Sequence, residues 1–151
     1  MLRNVAAVVV GYVVIFVVVF VLFAIAFAAL GPDRAFQARS FETSGFWIAV
    51  TLVVSFLAAI LGGFVARRIA PHSRGPLALA LFVLILGLGM AAFQLSAPYE
   101  DPGPRTGDIG MFDAMNQARQ PDWITLANPI LGFVGVLIGA GSRRPRRSVT
   151  G

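Results

Sequence analysis

Four stretches of this chain carry no ionisable side chain other than tyrosine: residues 4–32, 43–66, 75–99 and 123–142. Each is long enough to cross hydrocarbon about 30 Å thick, for which roughly 20 helical residues suffice. Lipid offers no partner for a backbone N–H or C=O, whereas a helix satisfies both within one segment, so each run is expected to be an α-helix. The first run contains VVVGYVVIFVVVFVLF, whose branched side chains would suit a strand in water; its length decides for a helix. A membrane β-barrel requires many segments of about ten residues with alternating polarity, and the sequence has none. Charged residues make up 13% of the chain and hydrophobic ones 58%, against about 25% and 45–50% in an ordinary soluble domain. That balance excludes a water-soluble fold, and it excludes disorder, which needs too little apolar surface to drive collapse. The chain has no cysteine, which removes disulfides, thiol catalysis and thiolate-bound zinc.

The expected fold is an all-α membrane protein, a bundle of four transmembrane helices at about 4–30, 45–68, 76–97 and 123–141. These make one membrane domain over residues 1–142, followed by a basic tail at 143–151. Arg3 precedes the first run and Ala26-Phe27-Ala28 mimics a signal-peptidase site. A secretory signal has an apolar core of about 7–15 residues, much shorter than the run from Val5 to Leu30, so an uncleaved anchor is expected.

Sidedness follows from the arginines. Arg3, Arg67, Arg68, Arg74, Arg143, Arg144, Arg146 and Arg147 fall on one side of the four spans, and Arg34, Arg39, Arg105 and Arg119 on the other. The richer side is expected to be cytoplasmic, which puts both termini inside. All seven acids, Asp33, Glu42, Glu100, Asp101, Asp108, Asp113 and Asp122, fall on the outer side. Trp47, Tyr99 and Trp123 all lie at the outer ends of their spans, where amphipathic rings prefer the headgroup level, and Tyr12 inside the first span is the exception. Arginine without lysine fits a GC-rich bacterial genome, and the expected location is a bacterial plasma (inner) membrane. Arg67, Arg68, Arg143, Arg144, Arg146 and Arg147 are then expected to touch anionic lipid of the inner leaflet. The sequence pI near 11.3 comes from this belt and lacks the aromatic-basic pattern of a nucleic-acid surface.

Helices associate in lipid where small residues let backbones approach. The second span carries two such stripes, Ser55-Ala59-Gly63 and Ala58-Gly62-Ala66, and is expected at the centre of the bundle. The fourth carries Gly132, Gly135 and Gly139, and the third Gly87 and Ala91. The first has only Ala7-xxx-Gly11 and Ala24-xxx-Ala28, so it is expected to face lipid or a partner subunit.

No Asp, Glu, Lys or His interrupts a span, so the polar side chains within the spans carry the functional question. At 1.5 Å per residue, Thr51, Gln94, Ser96, Thr125 and Asn128 fall within roughly 9 Å of the outer boundary, and Ser55 at about 12 Å. Pro129 follows Asn128, cannot donate a backbone hydrogen bond, and should release the Thr125 carbonyl. Two expectations compete. These side chains either bond across helices as packing glue, or form an outward-facing pocket for a neutral solute or lipid headgroup.

The long outer loop contains IGMFDAMNQARQ, expected to be a short amphipathic helix capped by Asp108, with Met111, Phe112, Met115 and Ala118 on one side. The spacing of Glu100, Asp101 and Asp108 does not match a calcium loop, so no metal site is expected. His72, the one histidine, stands on the inner turn with no acid on that face to orient it. Nucleotide-binding loops and catalytic triads are missing, and the sequence implies neither enzyme chemistry nor a cofactor. The function expected from sequence is a non-enzymatic accessory or helix-packing partner, alone or as a homo-oligomer. The alternative is a small neutral-solute or lipid-binding conduit.

Overall fold

The computed structural model describes residues 2–71, 74–97, 103–105 and 109–141. In chain order these form α1 (Leu2–Leu30), α2 (Pro32–Ala35), α3 (Gly45–Ile69), α4 (Gly75–Ser96), α5 (Met111–Gln117) and α6 (Asp122–Gly141). Among the described residues there is no strand, only two isolated β-bridges. Helices α1, α3, α4 and α6 are long and apolar enough to cross a membrane, with mean hydropathies of 3.3, 2.5, 2.4 and 1.8. Each occupies one of the four uncharged runs, and together they make the all-helical architecture of a multi-pass membrane protein.

Local chemistry sets where the helices stop and start. α1 ends as its chain turns through Gly31 at φ 71, a left-handed value costly for a side-chain-bearing residue, and Pro32 opens α2. α3 begins at Ser44, whose hydroxyl accepts from the Trp47 N–H at 3.1 Å and donates to the Arg34 carbonyl at 2.5 Å. Arg67 and Arg68 close α3, where cations complement the helix dipole; the Arg68 guanidinium lies 4.8 Å from the Phe64 ring centre.

The four long helices form a ring in the order α1, α3, α6, α4. α3 packs along both α1 and α6, α4 packs along α6 and α1, and α3 and α4 meet only slightly although a short turn joins them. The two small-residue stripes of α3 serve different neighbours. Gly63 lies so close to the Val136 carbonyl, and Gly139 to the Ile60 carbonyl, that a methyl group on either would overlap backbone. Gly135 faces Ala59 and the Phe56 carbonyl. Gly62 and Ala66 instead face α1, where Gly11 and Ile15 lie. Gly87 of α4 rests on Pro129 and Gly132 of α6 on Val83, so small residues mediate this contact too. Ala7 and Gly11 of α1 are buried, while Val5, Val9, Val13, Phe16, Val17 and Phe20 are exposed along the same helix. One apolar core gathers Ala7, Ala59, Ala66, Leu79, Ala80 and Val136 toward the end where α1 starts; that end is termed inner and the opposite one outer, after the side assignment expected from the arginines.

A second core closes the outer end. Trp47 packs against Phe23 and Phe27, with ring centres 5.8 and 6.1 Å apart, and joins Ala35, Phe36 and Ala114. The loops above are laced by backbone: the Thr43 N–H donates to the Arg119 carbonyl at 2.8 Å, and the Arg119 N–H to the Phe41 carbonyl at 2.8 Å. Beside this lacing, α5 turns Ala114 toward the core. Ala114 is buried, whereas Phe112 and Met115 are 69% and 57% exposed. The helix starts after Gly110 with no side-chain cap, and Asp108 lies outside the described residues.

Candidate functional site

α1 and α4 meet at the inner end, where Leu79 lies against Gly11 and the Tyr12 and Phe82 rings stand edge to face at 5.2 Å. Outward of that ring pair the two helices line a cavity of about 1620 Å³. Ile15 and Val19 come from α1; Val83, Leu86 and Met90 come from α4; Ser55 and Ala59 of α3 and Thr125, Asn128, Pro129 and Gly132 of α6 complete the wall. The outer loops contribute the mouth, with Arg39, Glu42, Asn116, Gln117, Arg119 and Asp122 among its residues. The cavity is thus apolar along its membrane-level flanks, neutral and polar on parts of α3, α4 and α6, and of mixed charge at its outer rim.

The sequence makes this shape through two features. On α6, Pro129 fits against Gly87, which brings α4 and α6 together while leaving the Thr125 carbonyl without its helical donor. On α4, Ala91 is buried but Gln94, Leu95 and Ser96 beyond it are exposed. Around the rim, the Arg105 N–H donates to the Arg39 carbonyl at 3.1 Å, and Arg105 Nη2 donates to Asp33 Oδ1 at 2.7 Å. These bonds tie the second outer loop to the first. Arg39 itself holds a left-handed backbone at φ 57.

Of the six polar residues singled out in the spans, Ser55, Gln94, Thr125 and Asn128 line the cavity. Thr51 is buried, at 3% exposure, and does not line it; Ser96 is exposed at the end of α4 and donates to the Ala92 carbonyl of its own helix at 2.7 Å. Among the described residues, no hydrogen bond joins any of these six side chains to another helix. Thr51 Oγ1 and Asn128 Oδ1 are buried with no partner. An unpaired buried polar atom costs about 1–3 kcal/mol, so packing glue is a poor description of Asn128 in this arrangement.

Five further residues belong to the cavity, one at its floor and four at its mouth. Tyr12 forms the floor of the cavity, and the signal was present: it is the one Trp or Tyr set well inside a span instead of at an interface. Arg39, Asn116, Gln117 and Arg119 at the mouth carried no signal, because their meeting depends on loop-to-loop hydrogen bonds between distant segments. Arg67 is half-buried and Arg68 exposed at the inner end of α3, while Arg143, Arg144, Arg146 and Arg147 lie outside the described residues, as do His72, Tyr99, Glu100 and Asp101. Among the described residues, no group of three metal-ligating side chains gathers. No family model, curated protein or solved structure significantly matches the chain.

Proposed function

We propose that this chain is a non-enzymatic plasma-membrane protein of bacterial type, with both termini in the cytoplasm, which binds or conducts a small neutral solute or lipid through the outward-opening cavity. The observation that carries this reading is Asn128 Oδ1, buried without a partner in a helix that lines an otherwise roomy cavity. Ser55, Gln94 and Thr125 add further neutral hydrogen-bonding groups to the same wall, and none brings a charge that would hold an ion. The arginine asymmetry supports the orientation. Arg67, Arg68 and the tail arginines would then contact anionic inner-leaflet lipid, at about 1 kcal/mol per residue near the surface.

The test compares Gln94→Leu/Asn128→Leu with Gly135→Leu/Gly139→Leu in purified, reconstituted protein. Glycerol entry into proteoliposomes and lipid retained after mild extraction are the readouts. The first variant should keep its assembly and lose entry or retained lipid; the second should lose assembly. Unchanged entry and unchanged lipid in the first variant would show the cavity to be idle.

A second reading, an accessory subunit, draws on α1. Its exposed Val5, Val9, Val13, Phe16, Val17 and Phe20 form an apolar ridge on a helix with few small residues for internal packing. Co-purification of a stoichiometric membrane partner that is released by polar substitution along that ridge would favour it.

A further inference from the structure

We infer that the cavity is a lateral berth for a neutral, hydroxyl-bearing lipid that enters between α1 and α4, its hydroxyl paired with Asn128. This rests on the binding function proposed above and names the ligand class. Size is the first argument: the space is open along one side, and its volume of about 1620 Å³ leaves room for a hydrocarbon chain beside a head group. The second is the wall. Ile15 and Val19 on one flank and Leu86 and Met90 on the other present only hydrocarbon and thioether to an occupant, at membrane level.

Depth and charge decide the head. Asn128 lies six residues along α6 from Asp122 at the mouth, which is about 9 Å at 1.5 Å per residue. The polar side chains lining that deeper part, Ser55, Gln94, Thr125 and Asn128, are all neutral. A phosphate or ammonium brought there would be a buried charge with no counter-ion, so the group that reaches Asn128 is uncharged. Asn128 Oδ1 has no partner and almost no surface open to the cavity, so the amide turns about its χ2 to meet an occupant; a hydroxyl, which donates and accepts, then pairs with either end of that amide. An ester or ether cannot donate. At the rim, cationic Arg39 and Arg119 stand with anionic Glu42 and Asp122, a balance that gives no net attraction for an ionic headgroup. A diacylglycerol or long-chain alcohol has this chemistry.

The experiment uses the full chain reconstituted in phosphatidylcholine vesicles with a diacylglycerol carrying a diazirine on one acyl chain. The control probe is its methyl ether, which keeps the chains and loses the donor. Photolabelling of Ile15, Val19, Leu86 and Met90 should be competed by unlabelled diacylglycerol and at least about tenfold weaker with the ether. Asn128→Leu should erase the difference between the probes. Val19→Trp, at a half-buried position, should block both while leaving the melting temperature near that of the unmodified protein, which guards against misfolding of the first variant. Equal labelling by the two probes, or labels confined to exposed Val13, Phe16 and Ile85, would overturn the lipid assignment. If glycerol entry nevertheless depends on Gln94 and Asn128, the solute form of the binding function stands and only the lipid inference falls. If neither probe nor glycerol responds to those substitutions, both fall together.

Discussion

Gly63 and Gly139 allow α3 and α6 to approach until the Cα of each lies against a carbonyl of the other helix. Such contacts favour dispersion and weak Cα–H···O bonds, in a solvent where apolar burial supplies little drive of its own. Adding a methyl at either position would strike backbone, which cannot rotate away. Gly63→Ala and Gly139→Ala should each cost about 1–3 kcal/mol of stability. Gly89 is the control, because nothing lies within 4 Å of where its Cβ would stand. Gly89→Ala should leave stability unchanged or raise it by up to about 1 kcal/mol. Reversible unfolding in mixed detergent micelles checks all three; equal losses at Gly63 and Gly89 would contradict this account of the interface. The residue scale also explains why a stripe read from sequence is only half an answer. The small residues of α3 are visible as two rows, yet whether a row meets α1 or α6 depends on which helix comes to it.

At the scale of elements, the tightest contact between α4 and α6 is Gly87 on Pro129, with Gly132 on Val83 beside it. A Cβ at residue 87 would lie 2.8 Å from both Pro129 Cβ and Cγ, so the proline ring and the missing side chain fit each other. Gly87→Ala alone should destabilise, and Pro129→Ala should relieve the part of that clash made by Cγ, leaving the Cβ contact, while returning a donor to the Thr125 carbonyl. The double variant should therefore be more stable than the sum of the singles implies, with a coupling of about 0.5–3 kcal/mol. Strict additivity in a thermal unfolding cycle would mean that the two residues do not share this contact. The same element pair shapes the cavity, since Pro129, Gly87 and Asn128 all line it. Pro129 was legible in the sequence as a disturbance of α6, and Asn128 beside it as a polar group at membrane depth. That a glycine on another helix would receive the proline was not legible, because both residues are common in apolar spans.

For the whole molecule, the charge asymmetry predicts an orientation that single cysteines can read, because the native chain has none. Gln37→Cys, in the exposed first outer loop, should react with a membrane-impermeant maleimide in intact spheroplasts. Arg3→Cys, at the opposite end of α1, should react only after permeabilisation. The reverse pattern would invert the bundle and turn the mouth of the cavity toward the cytoplasm. The ring order also bears on function at this scale. With α3 wedged against α1 and α6, and α4 held by α1 at its inner end, the free volume collects on the outer half between α1 and α4.

The sequence alone determined that four segments are helices suited to a membrane, close to where each begins and ends, and that polar side chains in the spans cluster toward one side. These are local properties: twenty apolar residues in lipid have one way to satisfy their backbone, and charges halt a span wherever they occur. The tertiary structure decided which helices are neighbours, which small residues meet, how α5 is rolled, and that Ser55, Gln94, Thr125 and Asn128 share a cavity while Thr51 and Ser96 do not. Hydropathy carries no direction around a helix that is apolar on every side, so the facing of α1 and α4 is set by contact alone. The loop bonds from Thr43 and Phe41 to Arg119, far apart in the chain, settle the roof in the same way.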